Sequence, residues 1–153
     1  MILYYLDASV WVKRYYEEVG TRRVEALFSG ENLLGCSALG LVEVTAVLSR
    51  KHKAGEISRE ARDNRIGELE RDWTTFVRIR VSDQIIARAS RLASEFSLRG
   101  ADAIHLASAL SASESLAGSE HRLVLATCDR ELARAAEASG FEVFDPEGLP
   151  KTQ

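Results

Sequence analysis

The sequence predicts a single α/β domain built on a parallel sheet of about four or five strands, with helices on both faces. Short apolar runs without alternation recur along the chain, which is typical of strands that helices cover on both sides. Segments with apolar residues at helical spacing lie between these runs. With 153 residues, 46% of them hydrophobic, the chain also has the size and composition of one globular domain.

Five apolar runs predict the strands. They are ILYYL at 2–6, LLGCS at 33–37, FVRIRV at 76–81, RLVLAT at 122–127 and FEVF at 141–144. Because helical segments separate them, consecutive strands are expected to be joined by crossovers and to run parallel.

Apolar spacing predicts the main helices at Leu39–Leu48, Ile66–Trp73 and Ile85–Leu92, with a strongly apolar one in LRGADAIHLASAL, residues 98–110. Residues that favour helix N-termini mark three starts, at Ser58, at Ser82 with Asp83, and at Asp129. Glycines predict four stops, at Gly30, Gly55, Gly100 and Gly140.

Charge and cysteine content limit the functional classes. The formal charge is -3, which argues against a protein coated in positive charge for binding duplex DNA, although a local basic patch and an acidic site both remain possible. Cys36 and Cys128 lack the spacing of a zinc site or a disulfide framework and are interpreted as small buried hydrophobes. No apolar run is long enough to span a membrane or to form a secretory signal, so a cytoplasmic protein is expected.

Acidic residues follow the predicted strands at positions that form ligand sites in α/β folds. Asp7 comes directly after the first strand and Asp129 after the fourth. Asp102 comes two residues after Gly100, where a helix is expected to stop. Ligands bind outside the carboxyl ends of parallel strands, where these three aspartates should meet. Each of them could instead be the N-cap of the helix that follows it.

Glu43 is harder to explain by structure alone. It lies in ALGLVEVTAVL among apolar residues, with no lysine or arginine within one helical turn. A buried carboxylate needs a compensating cation, which must come from elsewhere in the fold or from solution. Together with the three aspartates, Glu43 would form a hard-oxygen cluster that suits Mg²⁺ or Mn²⁺. A set of three caps and a surface glutamate is the alternative.

Four motifs in sequence carry a resemblance to a known family. LDASVWVKRY, Glu43 in its helix, LRGADAIHLASAL and ATCDRELARAA resemble the PIN-domain ribonucleases, most closely the VapC-type toxins of toxin–antitoxin pairs. The resemblance implies a PIN-like domain over residues 1–147, with a short tail at 148–153. It also assigns the acidic positions that hold metal and carry catalysis, namely Asp7, Glu43, Asp102 and Asp129. Ser9 and Thr127 match residues that support such a site.

This resemblance implies a metal-dependent endoribonuclease that acts as the toxin of a type II toxin–antitoxin system. A water activated by Mg²⁺ or Mn²⁺ would attack the RNA phosphodiester and leave 5′-phosphate and 3′-hydroxyl ends. The family further implies a homodimer and a cognate VapB-type antitoxin. No histidine pair is suggested, because His52 and His121 look exposed and His105 is interpreted as a packing or supporting residue rather than a general base.

Substrate contact is expected beside Asp7. Trp11 and Tyr15 share one helix face and should pack inward, whereas Lys13 and Arg14 could reach RNA phosphates. The Arg-rich span 59–99 carries nine arginines against seven acids and could contact RNA, dock a partner or simply form a solvated helix face.

Two other interpretations remain at this point. A phospho-acceptor receiver module has the same fold class, but it would carry adjacent acids after the first strand and a lysine at a later strand end, which this chain lacks. A PIN-like protein that binds RNA without cutting it is opposed only by the complete set of four acids.

Overall fold

A computed structural model describes residues 1–148 as one five-stranded parallel sheet with helices around it. The strands are β1 Ile2–Leu6, β2 Leu33–Ser37, β3 Val77–Ile79, β4 Arg122–Ala126 and β5 Glu142–Phe144. The helices are α1 Ala8–Trp11, α2 Thr21–Ser29, α3 Ala38–Lys53, α4 Arg59–Trp73, α5 Asp83–Phe96, α6 Gly100–Ser115 and α7 Arg130–Ala138, with a 3₁₀ turn at Val12–Arg14. The predicted tail at 148–153 lies outside the described residues except for Gly148.

The strand order places one crevice at the centre of the sheet. The order is β3-β2-β1-β4-β5, and every neighbouring pair is parallel. The chain therefore moves outward in one direction from β1 to β3 and in the other from β4 to β5. Right-handed crossovers then put helices on both faces, and the strand order reverses between β1 and β4. The predicted fold class is confirmed, and the β1–β4 boundary is the expected ligand position.

The edge strand β3 is shorter than predicted. The sequence favoured residues 76–81, but pairing covers only Val77–Ile79, opposite Gly35–Ser37. Phe76 belongs to the core instead, where its ring stacks on Trp11 with centroids 4.6 Å apart. The apolar run is longer than the strand because it includes this core residue, which packs without pairing in the sheet.

Three of the predicted helix starts are confirmed, because Ser58, Ser82 and Asp129 each accept a backbone N–H as N-cap. The stop expected at Gly100 is wrong, since Gly100 is the first residue of α6. The chain turns earlier, at Ser97, whose φ of 53° lies in the left-handed region. A serine in that conformation is uncommon, which is why the turn was assigned to the nearby glycine.

A chain of side-chain hydrogen bonds joins α1 to α4. Trp11 is fully buried and donates its indole N–H to Tyr15 Oη at 2.9 Å, and Tyr15 donates to Asp72 at 2.7 Å. The inward packing predicted for Trp11 and Tyr15 is therefore confirmed. Cys36 is buried as expected, whereas Cys128 is only partly buried. No helix in the described part of the chain is both long and apolar enough to cross a bilayer.

Candidate metal centre at the carboxyl edge of the sheet

Asp7 is fixed at the end of β1 by three donors. It is 3% exposed and serves as the N-cap of α1. Its Oδ1 accepts from the Ser9 hydroxyl at 2.6 Å and from the Val10 N–H at 3.2 Å, and its Oδ2 accepts from the Thr127 hydroxyl at 2.6 Å. Burial raises the pKa of Asp7, and these hydrogen bonds, with the charge of His105, oppose that rise. Asp7 is thus both a helix cap and a buried member of the site.

Ser9 and Thr127 connect the ends of β1 and β4. Thr127 donates to Asp7 while accepting the backbone N–H of Asp129 at 3.0 Å. Ser9 also donates to Asp7 and accepts the Cys128 N–H at 3.1 Å. The structure therefore places both supporting residues suggested by the sequence directly on the Asp7 carboxylate. Their bonds hold the two strand ends at a fixed separation.

Asp129 combines capping with a position at the centre. Its Oδ1 accepts the Leu132 N–H at 2.9 Å, which makes it the N-cap of α7. Because β1 and β4 are adjacent, Asp7 and Asp129 face the same crevice. Asp7 and Asp129 are therefore helix caps, as the sequence allowed, and their caps leave both at the edge where a metal site is expected.

Asp102 reaches the centre from a helix rather than from a strand end. It lies in the first turn of α6, which follows α5 through a short turn, so the expectation of three aspartates at strand ends is wrong for Asp102. Burial, and then the negative charges of Asp129 and Asp7, raise the pKa of the Asp102 carboxyl to about 6. This coupling places the three aspartates in one electrostatic neighbourhood.

Glu43 has a protein partner that the sequence analysis did not find. The side chain is 30% exposed, and its Oε1 lies 2.5 Å from Nε2 of His105. The partner therefore comes from elsewhere in the fold, one of the two sources that the sequence left open, and Glu43 is partly exposed rather than fully buried. The partner is 62 residues away in the chain, so no spacing rule within the helix could have identified it.

Gly40 allows α3 to come close enough for this contact. A Cβ at Gly40 would overlap Sγ of Cys36 and would lie 3.6 Å from Cε1 of His105. Glu43 follows Gly40 by three residues and so lies on the same helix face. The missing side chain brings that face against β2 and α6, where it meets His105.

The four carboxylates fit a hydrated divalent ion rather than a closed cage. Within residues 1–148, potential ligand atoms of three residues come within 4.8 Å of one another only at Cys128, Asp145 and Glu147. Mg²⁺ keeps several waters and binds through one or two carboxylates, so a wider arrangement of hard oxygens suits it. Burial, and then the charges of Asp129 and Asp7, raise the pKa of Asp102, and this repulsion among the carboxylates is the physical reason that such a centre attracts a cation.

The Cys128 cluster is a weaker metal site. Glu147 accepts a hydrogen bond from Nζ of Lys13 at 2.7 Å, so a protein cation already neutralises it. Burial raises the pKa of the Cys128 thiol to about 12, which keeps it protonated, whereas thiolate is the form that binds metal.

The two cations proposed for RNA contact are engaged with acids. Lys13 is 2% exposed and bridges Glu18 and Glu147 at 2.9 and 2.7 Å, so its ammonium is not accessible to a phosphate. The expectation for Lys13 is corrected accordingly. Arg14 is partly exposed, and its Nε lies 3.5 Å from Oδ2 of Asp72. Its guanidinium lies over the Phe28 ring. Of the two, only Arg14 presents surface to solvent.

The fold and these acids define the class of protein. Residues 4–138 match the PIN domain, and the chain belongs to the PIN-domain family. Two curated relatives from Mycobacterium tuberculosis are 35% identical over 147 residues, covering 94% of this chain and 95% of theirs. They are Ribonuclease VapC45 of strain CDC 1551 / Oshkosh and Ribonuclease VapC49 of strain ATCC 25618 / H37Rv.

Solved structures show the same fold at lower identity. The structure of FitAB bound to IR36 DNA has a TM-score of 0.69 and 20% identity, with full coverage of both chains. VapBC2 from Rickettsia felis, bound to a promoter fragment, has a TM-score of 0.63 and 14% identity, covering 94% of this chain and 98% of that one.

Proposed function

We propose that this protein is a divalent-metal-dependent endoribonuclease and the toxin of a type II toxin–antitoxin pair. The observation that carries the proposal is the coupling of Asp7, Asp102 and Asp129 at the β1–β4 boundary, with Glu43 held beside them. The 35% identity to two ribonucleases over almost the whole chain supports the reaction class.

The four acids share one role in this proposal, and two hydroxyls and a helix N-terminus assist them. Asp7, Glu43, Asp102 and Asp129 would hold Mg²⁺ or Mn²⁺, which supplies an activated water and neutralises charge on the reacting phosphate. Ser9 and Thr127 orient the Asp7 carboxylate through hydrogen bonds of 2.6 Å each. The α6 N-terminus, which bears Asp102, adds a positive dipole end that favours a phosphate nearby.

Water-derived attack predicts RNA fragments with 5′-phosphate and 3′-hydroxyl ends. The test is incubation of a mixed pool of cellular RNAs with the purified protein in Mg²⁺ or Mn²⁺, compared with EDTA and with Asp102→Asn. Asp83→Asn is the matched control, since Asp83 is an exposed aspartate in the first turn of α5. Arg88, in the same half of α5 as Asp83, contacts Glu114 near the C-terminal end of α6. Asp102 is at the opposite, N-terminal end of α6, so Asp83 lies far from it.

Metal-dependent cleavage that Asp102→Asn removes and Asp83→Asn retains would support the proposal. Cleavage that continues in EDTA, or in Asp102→Asn at the parental rate, would contradict it. Binding of RNA without cleavage, while metal still raises the melting temperature, would favour the non-catalytic alternative. A metal at 100 times its Kd should stabilise the fold by about 2.7 kcal/mol, which is measurable by thermal unfolding.

We also propose a VapB-type antitoxin as partner and a homodimer as the working assembly. Structures of VapBC and FitAB complexes share this fold, which supports such an assembly. A groove of about 330 Å³ is lined by residues that follow β1 and by residues of α3, namely Ala8, Ser9, Val12, Val42, Glu43, Ala46, Val47 and Arg50. Val42 in this groove is 64% exposed, so a partner segment covering it would bury apolar surface and screen the acids.

This assembly predicts that the antitoxin inhibits RNA cleavage and that Val42→Ser, which removes apolar surface without adding charge, weakens the inhibition while leaving cleavage by the free protein unchanged. Light scattering should give twice the chain mass of 16.9 kDa. A nuclease of cellular RNA would act in the cytoplasm, where its two cysteines, which form no disulfide, would remain reduced. An antitoxin that inhibits Val42→Ser as fully as the parent protein would contradict this groove as the docking site.

A further inference from the structure

A buried chain of hydrogen bonds starts at the N-cap residue of helix α3 and ends on a side chain within that helix. The Ser37 N–H, at the N-cap of α3, donates to Tyr5 Oη at 3.1 Å. Tyr5 Oη is 2.8 Å from Nδ1 of His105, and the opposite ring nitrogen, Nε2, is 2.5 Å from Oε1 of Glu43. The chain therefore connects β1, α6 and α3, which carry or directly precede three of the four acids.

The two inner members of this chain are among the most buried polar side chains of the protein. Tyr5 is 0% exposed and His105 is 2% exposed. A buried polar pair is costly unless its hydrogen bonds are complete, so the position of the imidazole is strongly determined. Packing adds to this restraint, because the Tyr5 and His105 rings meet edge to face at 5.8 Å between centroids.

We infer that His105 is the positioning residue of Glu43 and that Tyr5 fixes His105 for this task. The inference rests on the proposed function, because it concerns how one acid of the metal centre is held. It does not depend on the charge of the imidazole, since Nε2–H donates to Glu43 in both the neutral and the protonated form. Only the link between Nδ1 and Tyr5 changes its direction.

Glu43 needs such a restraint more than Asp7 does. A glutamate loses up to about 2 kcal/mol of rotamer freedom when it is fixed, and this one is partly exposed to solvent. Within residues 1–148, His105 makes the hydrogen bond found on the Glu43 carboxylate, and it uses Oε1. The arrangement fixes the carboxylate while leaving Oε2 available to a metal.

The position of His105 in α6 joins two acids to one rigid element. His105 follows Asp102 by three residues, so both side chains project from the same helix face. Helix α6 carries Asp102 itself, and it also carries His105, which holds the Glu43 carboxylate by a hydrogen bond. A similar relation holds on the sheet, because Tyr5 precedes Asp7 by two residues on extended backbone. The metal centre is thereby set by β1 and α6 together.

The test measures Mn²⁺ binding by electron paramagnetic resonance, which requires no RNA cleavage. His105→Leu should raise the Mn²⁺ Kd about 10- to 100-fold, the usual cost of losing a residue that orients a ligand. His105→Gln, whose amide can donate to Glu43 from a similar position, should stay within about threefold of the parent. Tyr5→Phe should fall between these variants. Ser108→Ala, which removes another buried polar group of α6, is the control and should bind as the parent does.

A double-mutant cycle separates positioning from a general structural effect. If His105 acts through Glu43, adding His105→Leu to Glu43→Gln should not weaken Mn²⁺ binding further. Additive losses would overturn the inference, as would parental binding by His105→Leu. Should His105→Leu fail to fold, Tyr5→Phe decides the question. A Mn²⁺ Kd for Tyr5→Phe that equals those of His105→Gln and the parent would contradict a role for the hydrogen-bond chain. A parent protein that binds no Mn²⁺ would overturn the proposed function itself.

Discussion

Asp7 and Asp102 are two aspartates of one centre in opposite surroundings. Asp7 is 3% exposed and accepts three hydrogen bonds, from two hydroxyls and one backbone N–H. Asp102 is partly exposed, and the hydrogen bonds found within residues 1–148 include none to its carboxylate. One carboxylate is placed by the folded protein, whereas the other faces the charges of its neighbours.

The difference separates a structural contribution from a chemical one. The Asp7 carboxylate caps α1 and joins β1 to β4 through Thr127, so the fold depends on it as well as the proposed function. Asp102 raises the local negative charge, and burial and the charges of Asp129 and Asp7 raise its pKa to about 6. A cation would relieve that repulsion. We therefore expect the same substitution at the two positions to have the same effect on cleavage and opposite effects on stability.

The largest expected effect is on RNA cleavage, where the two aspartates should behave alike. Asp7→Ala and Asp102→Ala should each reduce the rate by at least about 100-fold. Each removes a carboxylate from a centre whose metal would stabilise the charge of the transition state by several kcal/mol. Single-turnover cleavage at saturating Mn²⁺ measures this loss. A rate within tenfold of the parent for either variant would remove that residue from the proposed catalytic set.

Stability should distinguish the two aspartates. Asp7→Ala leaves the Ser9 and Thr127 hydroxyls and one backbone N–H without an acceptor, so it should lower the free energy of unfolding by roughly 1–3 kcal/mol. Part of this cost is offset because a buried charge is also removed. Asp102→Ala breaks no hydrogen bond found here and should leave the metal-free protein as stable as the parent or more so. Urea unfolding in EDTA compares them, and equal losses would contradict the contrast.

The metal-free stability of Asp102→Asn should depend on pH. The folded protein holds the Asp102 proton more tightly than the unfolded chain, whose pKa is near the ordinary 3.8. Ionisation of Asp102 therefore lowers the free energy of unfolding as the pH rises from about 4 to about 6, with little change above. The variant escapes this loss, so its gain over the parent should be absent at pH 4 and reach about 1 kcal/mol at pH 7.5, allowing for solvent screening. A gain that does not change with pH would indicate a cause other than this carboxyl.

The same contrast explains which parts of the molecule could be predicted from sequence. The five strands and most helix starts are local patterns, and the structure confirms them with changes of a few residues. Asp7 and Asp129 were identified as site candidates because the end of a parallel strand has a fixed place in the fold. Asp102 was grouped with the strand ends although no predicted strand directly precedes it, and the structure places it in the first turn of α6, after the turn at Ser97.

Local patterns did not predict the partners of these acids, although the family resemblance suggested Ser9 and Thr127 as supporting residues. His105 is 62 residues from Glu43, and Thr127 is 120 residues from Asp7. Contacts of this kind depend on which helix packs on which strand, and that follows from the three-dimensional structure rather than from spacing. Lys13 shows the converse error, because its place near Asp7 suggested phosphate binding while the fold buries it between two acids.

The smallest expected effect concerns Ser9, which donates one of the three hydrogen bonds that the Asp7 carboxylate accepts. Ser9→Ala should lower the free energy of unfolding by roughly 0.5–1 kcal/mol, since the Cys128 N–H also loses its acceptor. The Ser9 hydrogen bond lowers the pKa of Asp7, so its loss should raise that pKa and move the acid limb of the cleavage profile to higher pH. Ser115→Ala, on the exposed end of α6, is the matched control and should leave the profile unchanged. An unshifted acid limb in Ser9→Ala, together with the expected loss of stability, would mean that Ser9 holds the two strand ends together without tuning the carboxylate.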